Sequence, residues 1–303
     1  MRVNQVIICA LLATLSAPGL LQAQTTQVAP ATTAAFPVGL GPEGVASDGA
    51  NVLVANQFSN TVTKLRASDG SVVGTSAVGH RPVAVAFDGA FFWVANYLSN
   101  NVMKLDASGV VVGTYAVGEG PGGLLATNGN IWVANRTSNT VTKLRGSDGL
   151  TLGTYEVGAR PISMATDGEH VYVTNNNSDT VTKLNASNGV ALASFAVGDG
   201  PFGIAFDGGS LWVANFGSSN VMKLTPDGAL TGTYKVGDGP LSAVFSEGVV
   251  YVVNNGGDSV TKLSAVDGAS LGSISVGRSP IGLAVSGSNV WVTNSGSNTV
   301  SKR

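Results

Sequence analysis

Three short motifs recur in lockstep along this chain, and no other feature limits its fold so tightly. A proline following Val-Gly or its equivalent stands at Pro42, Pro82, Pro121, Pro161, Pro201, Pro240 and Pro280, at steps of 40, 39, 40, 40, 39 and 40 residues. The tetrapeptides Leu53-Val-Ala-Asn56, Trp93-Val-Ala-Asn96, Trp132-Val-Ala-Asn135, Tyr172-Val-Thr-Asn175, Trp212-Val-Ala-Asn215, Tyr251-Val-Val-Asn254 and Trp291-Val-Thr-Asn294 keep the same six steps. So do Lys64, Lys104, Lys143, Lys183, Lys223, Lys262 and Lys302, each inside a Val-Thr/Met/Ser-Lys segment. A fixed period near 40 residues is the signature of a repeat architecture.

Each repeat reads as four short strands, a to d. In the second copy these are 83–87, 91–96, 101–105 and 111–117, rich in Val, Ala and aromatic residues. Asp-Gly pairs at Asp48, Asp69, Asp88, Asp148, Asp167, Asp207, Asp227 and Asp267, with Asn-Gly at Asn128 and Asn188, supply tight hairpin turns. No helical periodicity of useful length interrupts them. Four antiparallel strands per repeat make the blade of a β-propeller. One blade cannot bury its own faces, so seven must close into a ring. The fold class is therefore all-β: a seven-bladed propeller of four-stranded antiparallel blades.

The ends of the chain complete this reading. The last repeat has strands a, b and c at 281–285, 290–294 and 299–302, and then the chain stops at Arg303 without a strand d. Residues 32–39, Thr-Thr-Ala-Ala-Phe-Pro-Val-Gly, match the strand-d pattern of Gly113-Thr-Tyr-Ala-Val-Gly118. An N-terminal strand should thus complete the last blade and close the ring. Upstream, Arg2, the apolar run Val6–Leu15 and the small residue Ala23 form a signal-peptide pattern over 1–23. That run is too short for a membrane span. Residues 24–30 read as a short linker and 31–303 as one propeller domain. A periplasmic or secreted monomer is expected, without a membrane span. The sole cysteine, Cys9, falls in the leader, so the mature chain has none with which to form a disulfide.

The Trp/Tyr-Val-Ala/Thr-Asn repeat resembles the bacterial YVTN-type, YncE-like seven-bladed propellers, and Tyr172-Val-Thr-Asn175 matches the name motif outright. The resemblance covers about residues 36–303. It departs in strand c, which reads Val-Thr-Lys-Leu, and in Phe-Asp-Gly where Pro-Asp-Gly is common. What it implies about fold is specific. What it implies about function is a binding or scaffold role, or single-stranded nucleic-acid binding, and fold alone does not give function.

Uniform strands carry structure, and departures from uniformity carry individuality. The Trp/Tyr positions read as packing between blades, the seven Asn ending strand b as turn formers, and the lysine row as a solvated belt with its stems packed. Charged residues are only 11% and the net charge is −2, which argues against a polyanion-binding surface. The d–a and b–c loops must share one face, and there the repeats differ. Phe58, His80, Arg81, Tyr97, Glu119, Arg136, Arg160, Asn176, Phe216 and Arg278 are the candidate ligand-binding residues. Exposed aromatic and Arg side chains of this kind serve as binding anchors. Tyr97, Arg136 and Arg160, from neighbouring blades, could hold an anionic or planar group.

No Gly-x-Ser-x-Gly, phosphate-cradling loop or EF-hand spacing occurs, so no catalytic residue, metal ligand or cofactor is assigned. The expected function is non-enzymatic binding of a small molecule, glycan or protein through the d–a/b–c face. The alternatives are a metal-dependent lyase or lactone hydrolase of propeller type, and periplasmic single-stranded nucleic-acid binding. A two-histidine metal site is disfavoured because His80 and His170, the only histidines, should lie on opposite faces.

Overall fold

A computed structural model describes residues 34–303, and the expected signal peptide and linker lie outside the described residues. The described chain is all-β: twenty-eight strands in seven four-stranded antiparallel sheets. The first blade holds β2 (Pro42–Ser47), β3 (Asn51–Asn56), β4 (Thr61–Arg66) and β5 (Val72–Ala77) in sequence order. The second begins with β6 (Pro82–Phe87), and four more blades repeat the order. The seventh contains β26 (Pro280–Ser286), β27 (Asn289–Asn294) and β28 (Thr299–Lys302). Its fourth strand is β1 (Ala34–Pro37), which pairs antiparallel with β28 from Ala34↔Lys302 to Pro37↔Thr299. The expected N-terminal clasp is present. Among the described residues no helix is long and apolar enough to cross a membrane.

The a strands form the innermost ring and touch their neighbours directly. Their third residues are Gly44, Ala84, Gly123, Ser163, Gly203, Ser242 and Gly282, all small. A Cβ on Gly44 would stand 2.6 Å from the Ala84 Cα, so the inner strands approach backbone to backbone. Apart from a half-buried first residue in five of them and the half-buried Tyr251, the b strands are buried, and Trp93, Trp132, Tyr172, Trp212 and Trp291 are essentially inaccessible.

The lysines correct the sequence expectation. They are not a solvated belt, because all seven are buried or half-buried. In six of the seven, all but Lys262, the amine crosses to the next blade's c–d turn. Lys104 donates to the carbonyls of Gly146 (2.7 Å) and Ser147 (3.1 Å), and Lys143 to Ala186 (2.8 Å) and Ser187 (2.9 Å). Lys64, Lys223 and Lys302 repeat the contact, and Lys183 pairs with Asp227 at 2.9 Å. The amines also sit over the ring of their own blade, 5.1 Å from Trp132 for Lys143 and 4.8 Å from Trp212 for Lys223. Burial pushes the Lys143 amine below its usual pKa.

The strand-d aromatics reach the same turns. Tyr115, Tyr155, Phe195, Tyr234 and Phe36 cover Gly149, Gly189, Gly228, Gly268 and Gly70 of the following blade, leaving no room for a Cβ. Those glycines also have φ between 75° and 87°. They are required twice, by conformation and by space. In the last of these contacts Phe36 of β1 covers Gly70 of the first blade, which closes the ring.

The strand-b asparagines also differ from expectation. They are fully buried, and they bond strand c rather than shaping the turn: Asn56 Nδ2 donates to Thr61 Oγ1 (3.1 Å) and Thr63 Oγ1 (2.9 Å). The turn conformation belongs to a residue four places later, such as Asn60 at φ 54°.

Two predictions follow from these contacts. Deleting residues 24–38 removes β1 and should lower the melting temperature strongly and promote aggregation, since the edge of β28 is then bare. Deleting 24–29 should leave melting unchanged; equal melting of all three proteins would overturn the clasp. Lys143→Ala orphans two carbonyls and strips the Trp132 ring of its cover, at a cost of roughly 2 kcal/mol in denaturant melts.

Candidate functional site

Backbone hydrogen bonds stitch each b–c loop to the d–a loop of its own blade. Tyr97 N–H donates to Arg81 O (2.9 Å), Arg136 N–H to Gly120 O (2.9 Å) and Asn176 N–H to Arg160 O (3.0 Å). An Asn or Asp in the b–c turn caps the following d–a loop: Asn60 Oδ1 accepts from Arg81 N–H, and Asn139 Oδ1 from Arg160 N–H, each at 2.8 Å. The two loop sets therefore form one face, as expected, and surround the mouth of the central channel.

Arg136 is the residue the sequence misplaces. It is not an exposed loop anchor but turns inward, its side chain only 14% exposed. It fills the space that a side chain at Gly122 would occupy and donates from Nη2 to Gly122 O at 2.9 Å. The same nitrogen lies 3.7 Å from Glu43 Oε1, and Glu43 is likewise only 13% exposed. Burial raises the Glu43 carboxyl above its ordinary pKa of 4.5, while Arg136 and then Arg81 pull it back. Burial lowers the Arg136 guanidinium, Glu43 raises it, and Arg160 and Arg81 lower it again. Arg81, Arg136 and Arg160 thus lie within electrostatic reach of one another. Around Arg136 three cations thus gather about one anion, while Glu119, Asp199 and Asp238 stand in other d–a loops of the same face.

Aromatic rings flank the cluster. Arg81 lies 4.9 Å from the Tyr97 ring centre, and Arg136 lies 6.0 Å from Phe202, which in turn packs 6.5 Å from Phe216. Asn176 Oδ1 accepts from Arg160 at 3.2 Å. Of the ten sequence candidates, the structure gathers Arg81, Tyr97, Arg136, Arg160 and Asn176 around the mouth, with Phe216 behind Phe202. Phe58 and His80 stand apart, beside Arg81 and Leu98 in an outer cavity of about 620 Å³. Glu119 is exposed, and Arg278 folds back onto Gly296 O at 3.2 Å. His170 lies on the opposite face and bonds Asp167, 2.9 Å away. The carboxyl of Asp167 is held down to about 2: burial opposes this shift, and hydrogen bonds from His170 and Tyr172 overcome it. Among the described residues no three His, Cys, Asp or Glu side chains come together to hold a metal ion.

Glu43, Gly122 and Phe202 are absent from the sequence candidates, although the repeat contains the signal. The residue after the repeat proline is Glu43, Val83, Gly122, Ile162, Phe202, Leu241 or Ile281. One acid and one glycine interrupt an apolar series, and the arginine that answers both lies in the glycine's own blade.

Arg136→Ala should destabilise the protein by about 3 kcal/mol near neutral pH, because it strands a buried carboxylate. The folded-state pKa of Glu43 would then rise further above its unfolded value. A raised carboxyl favours the fold below the unfolded pKa, and this contribution is lost as pH rises through the folded pKa. The defect should therefore shrink as pH falls towards 4.5, which pH-dependent denaturant titration measures.

No protein-family model matches the chain, and a search of curated proteins gives no match. Solved structures match its fold. A streptogramin B lyase superposes with a TM-score of 0.78 at 16% identity, covering 89% of this chain and 96% of that one. A catalytically inactive virginiamycin B lyase from Staphylococcus aureus with quinupristin gives 0.77 at 18%, covering 89% and 98%. Hydrazine synthase from Kuenenia stuttgartiensis gives 0.79 at 19%, covering 92% and 98%. At such identities the likeness is one of fold, and it is to seven-bladed propellers such as virginiamycin B lyase that this chain is structurally similar.

Proposed function

We propose that this is an exported, non-enzymatic binding propeller of the YVTN-type, YncE-like kind, which recognises an anionic ligand through the channel mouth of its d–a/b–c face. The leader pattern of residues 1–23 supports export to the periplasm or beyond.

One observation carries the reading. The second residue of the d–a loop is left-handed in all seven repeats: Gly41, Arg81, Gly120, Arg160, Gly200, Gly239 and Ser279, with φ between 49° and 64°. Glycine adopts this conformation freely, whereas a residue with a Cβ gives up ~1 kcal/mol or more. Four repeats use glycine. The two that carry arginine are those flanking Arg136. Strain retained against an available alternative points to function, and forked guanidinium groups are suited to carboxylate or phosphate.

A lyase chemistry with paired histidines finds no support in the geometry, since His80 and His170 are on opposite faces. The double variant Arg81→Gly with Arg160→Gly should melt at or above the wild-type temperature, by up to ~1 kcal/mol per site. It should lose the thermal shift that wild type shows with small organic anions in a screen that also contains inorganic phosphate, oligosaccharides, single-stranded DNA and divalent metals. A shift with a divalent metal, abolished by EDTA, would instead sink the preference for a non-enzymatic role. Binding unchanged in the double variant would place the site elsewhere.

A further inference from the structure

The channel behind the mouth describes its occupant. Its cavity is about 180 Å³. That is below the ~300–1,000 Å³ usual for drug-sized ligands, so a small molecule fits. Five of the seven positions after the repeat proline face it with apolar side chains: Val83, Ile162, Phe202, Leu241 and Ile281. The remaining two places hold Glu43 and, over Gly122, Arg136. Beside this apolar ring, Ser163, Ser242 and the backbone at Gly44, Gly123 and Gly282 add polar surface to the wall, and its one buried cation is already faced by one internal carboxylate.

The Glu43–Arg136 contact is incomplete. At 3.7 Å it is an ion pair beyond hydrogen-bond range, and Arg136 Nε, also buried, has no hydrogen-bond partner. Glu43 cannot move its backbone to improve the fit, because Thr293 Oγ1 of the seventh blade holds its carbonyl at 2.7 Å. An incoming carboxylate would compete with Glu43 for the same guanidinium and would be repelled by it while Glu43 is ionised.

We propose that the channel mouth binds a small apolar monocarboxylate together with one proton, which neutralises Glu43 and lets the ligand's carboxylate take its place on Arg136. The ligand arrives ionised, the proton comes from solvent onto Glu43, and the ligand's apolar body lies against the ring of Val83, Ile162, Phe202, Leu241 and Ile281. This deepens the binding function proposed above and rests on it.

The groups able to titrate or bear charge around Glu43 are few. Arg136 faces it from the b–c loop of the third blade, and Arg81 from the loop before β6; Arg160 and Tyr97 act on Arg136. The strands packed against β2, namely β3, β6, β26 and β27, contain no ionisable side chain. His80, next to Arg81, is the one histidine on this face. Burial already raises the Glu43 carboxyl, so neutralising it is easier than for an exposed glutamate.

Isothermal titration with benzoate across the mildly acidic to neutral range tests this. Wild type should bind more weakly as pH rises, by ~tenfold per pH unit above the Glu43 pKa, with about one proton taken up per ligand in buffers of different ionisation enthalpy. Glu43→Gln should bind benzoate at all pH values as tightly as wild type does in acid, without proton uptake, and His80→Gln should keep the wild-type slope. If Glu43→Gln does not fold, the wild-type proton count still decides. A pH-independent wild-type affinity, no proton uptake, or a slope that follows His80 would overturn the coupling. No benzoate binding at any pH would overturn the ligand class. Another anion, phosphate included, that binds wild type and is lost in the Arg81→Gly, Arg160→Gly variant would then leave the broader binding function standing.

Discussion

The ring depends on how one blade grips the next. Seven twisted sheets set radially leave wedge-shaped gaps that widen outward, where the inner backbone contact at Gly44 and its equivalents no longer reaches. The gaps are filled by a composite clamp. In five of the seven blades a strand-b Trp or Tyr, the lysine beside it and a strand-d aromatic all close on the c–d turn of the following blade. A lysine amine buried alone would be strongly unfavourable. Here carbonyls and a ring face replace its water, and a desolvated cation over an aromatic contributes as much as ~2 kcal/mol. The partner of each clamp is always the next blade, so no blade is complete by itself.

That dependence explains the termini. The seventh blade lacks a strand d of its own, and β1 supplies it with Phe36, whose ring packs tilted against Trp291 at 5.8 Å and covers Gly70 of the first blade. Lys302 then reaches Ala67 O and Ser68 O, two bonds that join residues more than two hundred positions apart. On the inner side, Thr293 bonds Glu43 O across the same seam. The ring closes where the chain begins and ends, and Glu43 sits at that seam.

A scaffold held at the c–d side leaves the opposite loops free to vary. The repeats use that freedom unevenly. Blades two to four carry Arg81, Arg136 and Arg160, two of them in a backbone conformation that glycine occupies in sister repeats. Blade one contributes a buried acid, and blade five contributes Phe202 and Phe216. Blades six and seven offer Gly256 and Gly296 in their b–c loops. The site is thus asymmetric on a symmetric support, with three arginines gathered about one buried acid.

The sequence by itself determined the blade count, the strand order and the missing outer strand, because each is written in periodic local patterns that survive without knowledge of distance. It also located the variable face, since strand direction alternates and the loops must follow. It could not show that Lys143 is buried or that Arg136 turns inward. Both outcomes depend on what stands across a gap between blades: carbonyls of a turn 43 or 44 residues away for the lysine, and the absent side chain of Gly122 with the carboxylate of Glu43 for the arginine. Only the closed ring brings those groups together, because burial and charge pairing are set by neighbours in space, while a repeat specifies neighbours along the chain.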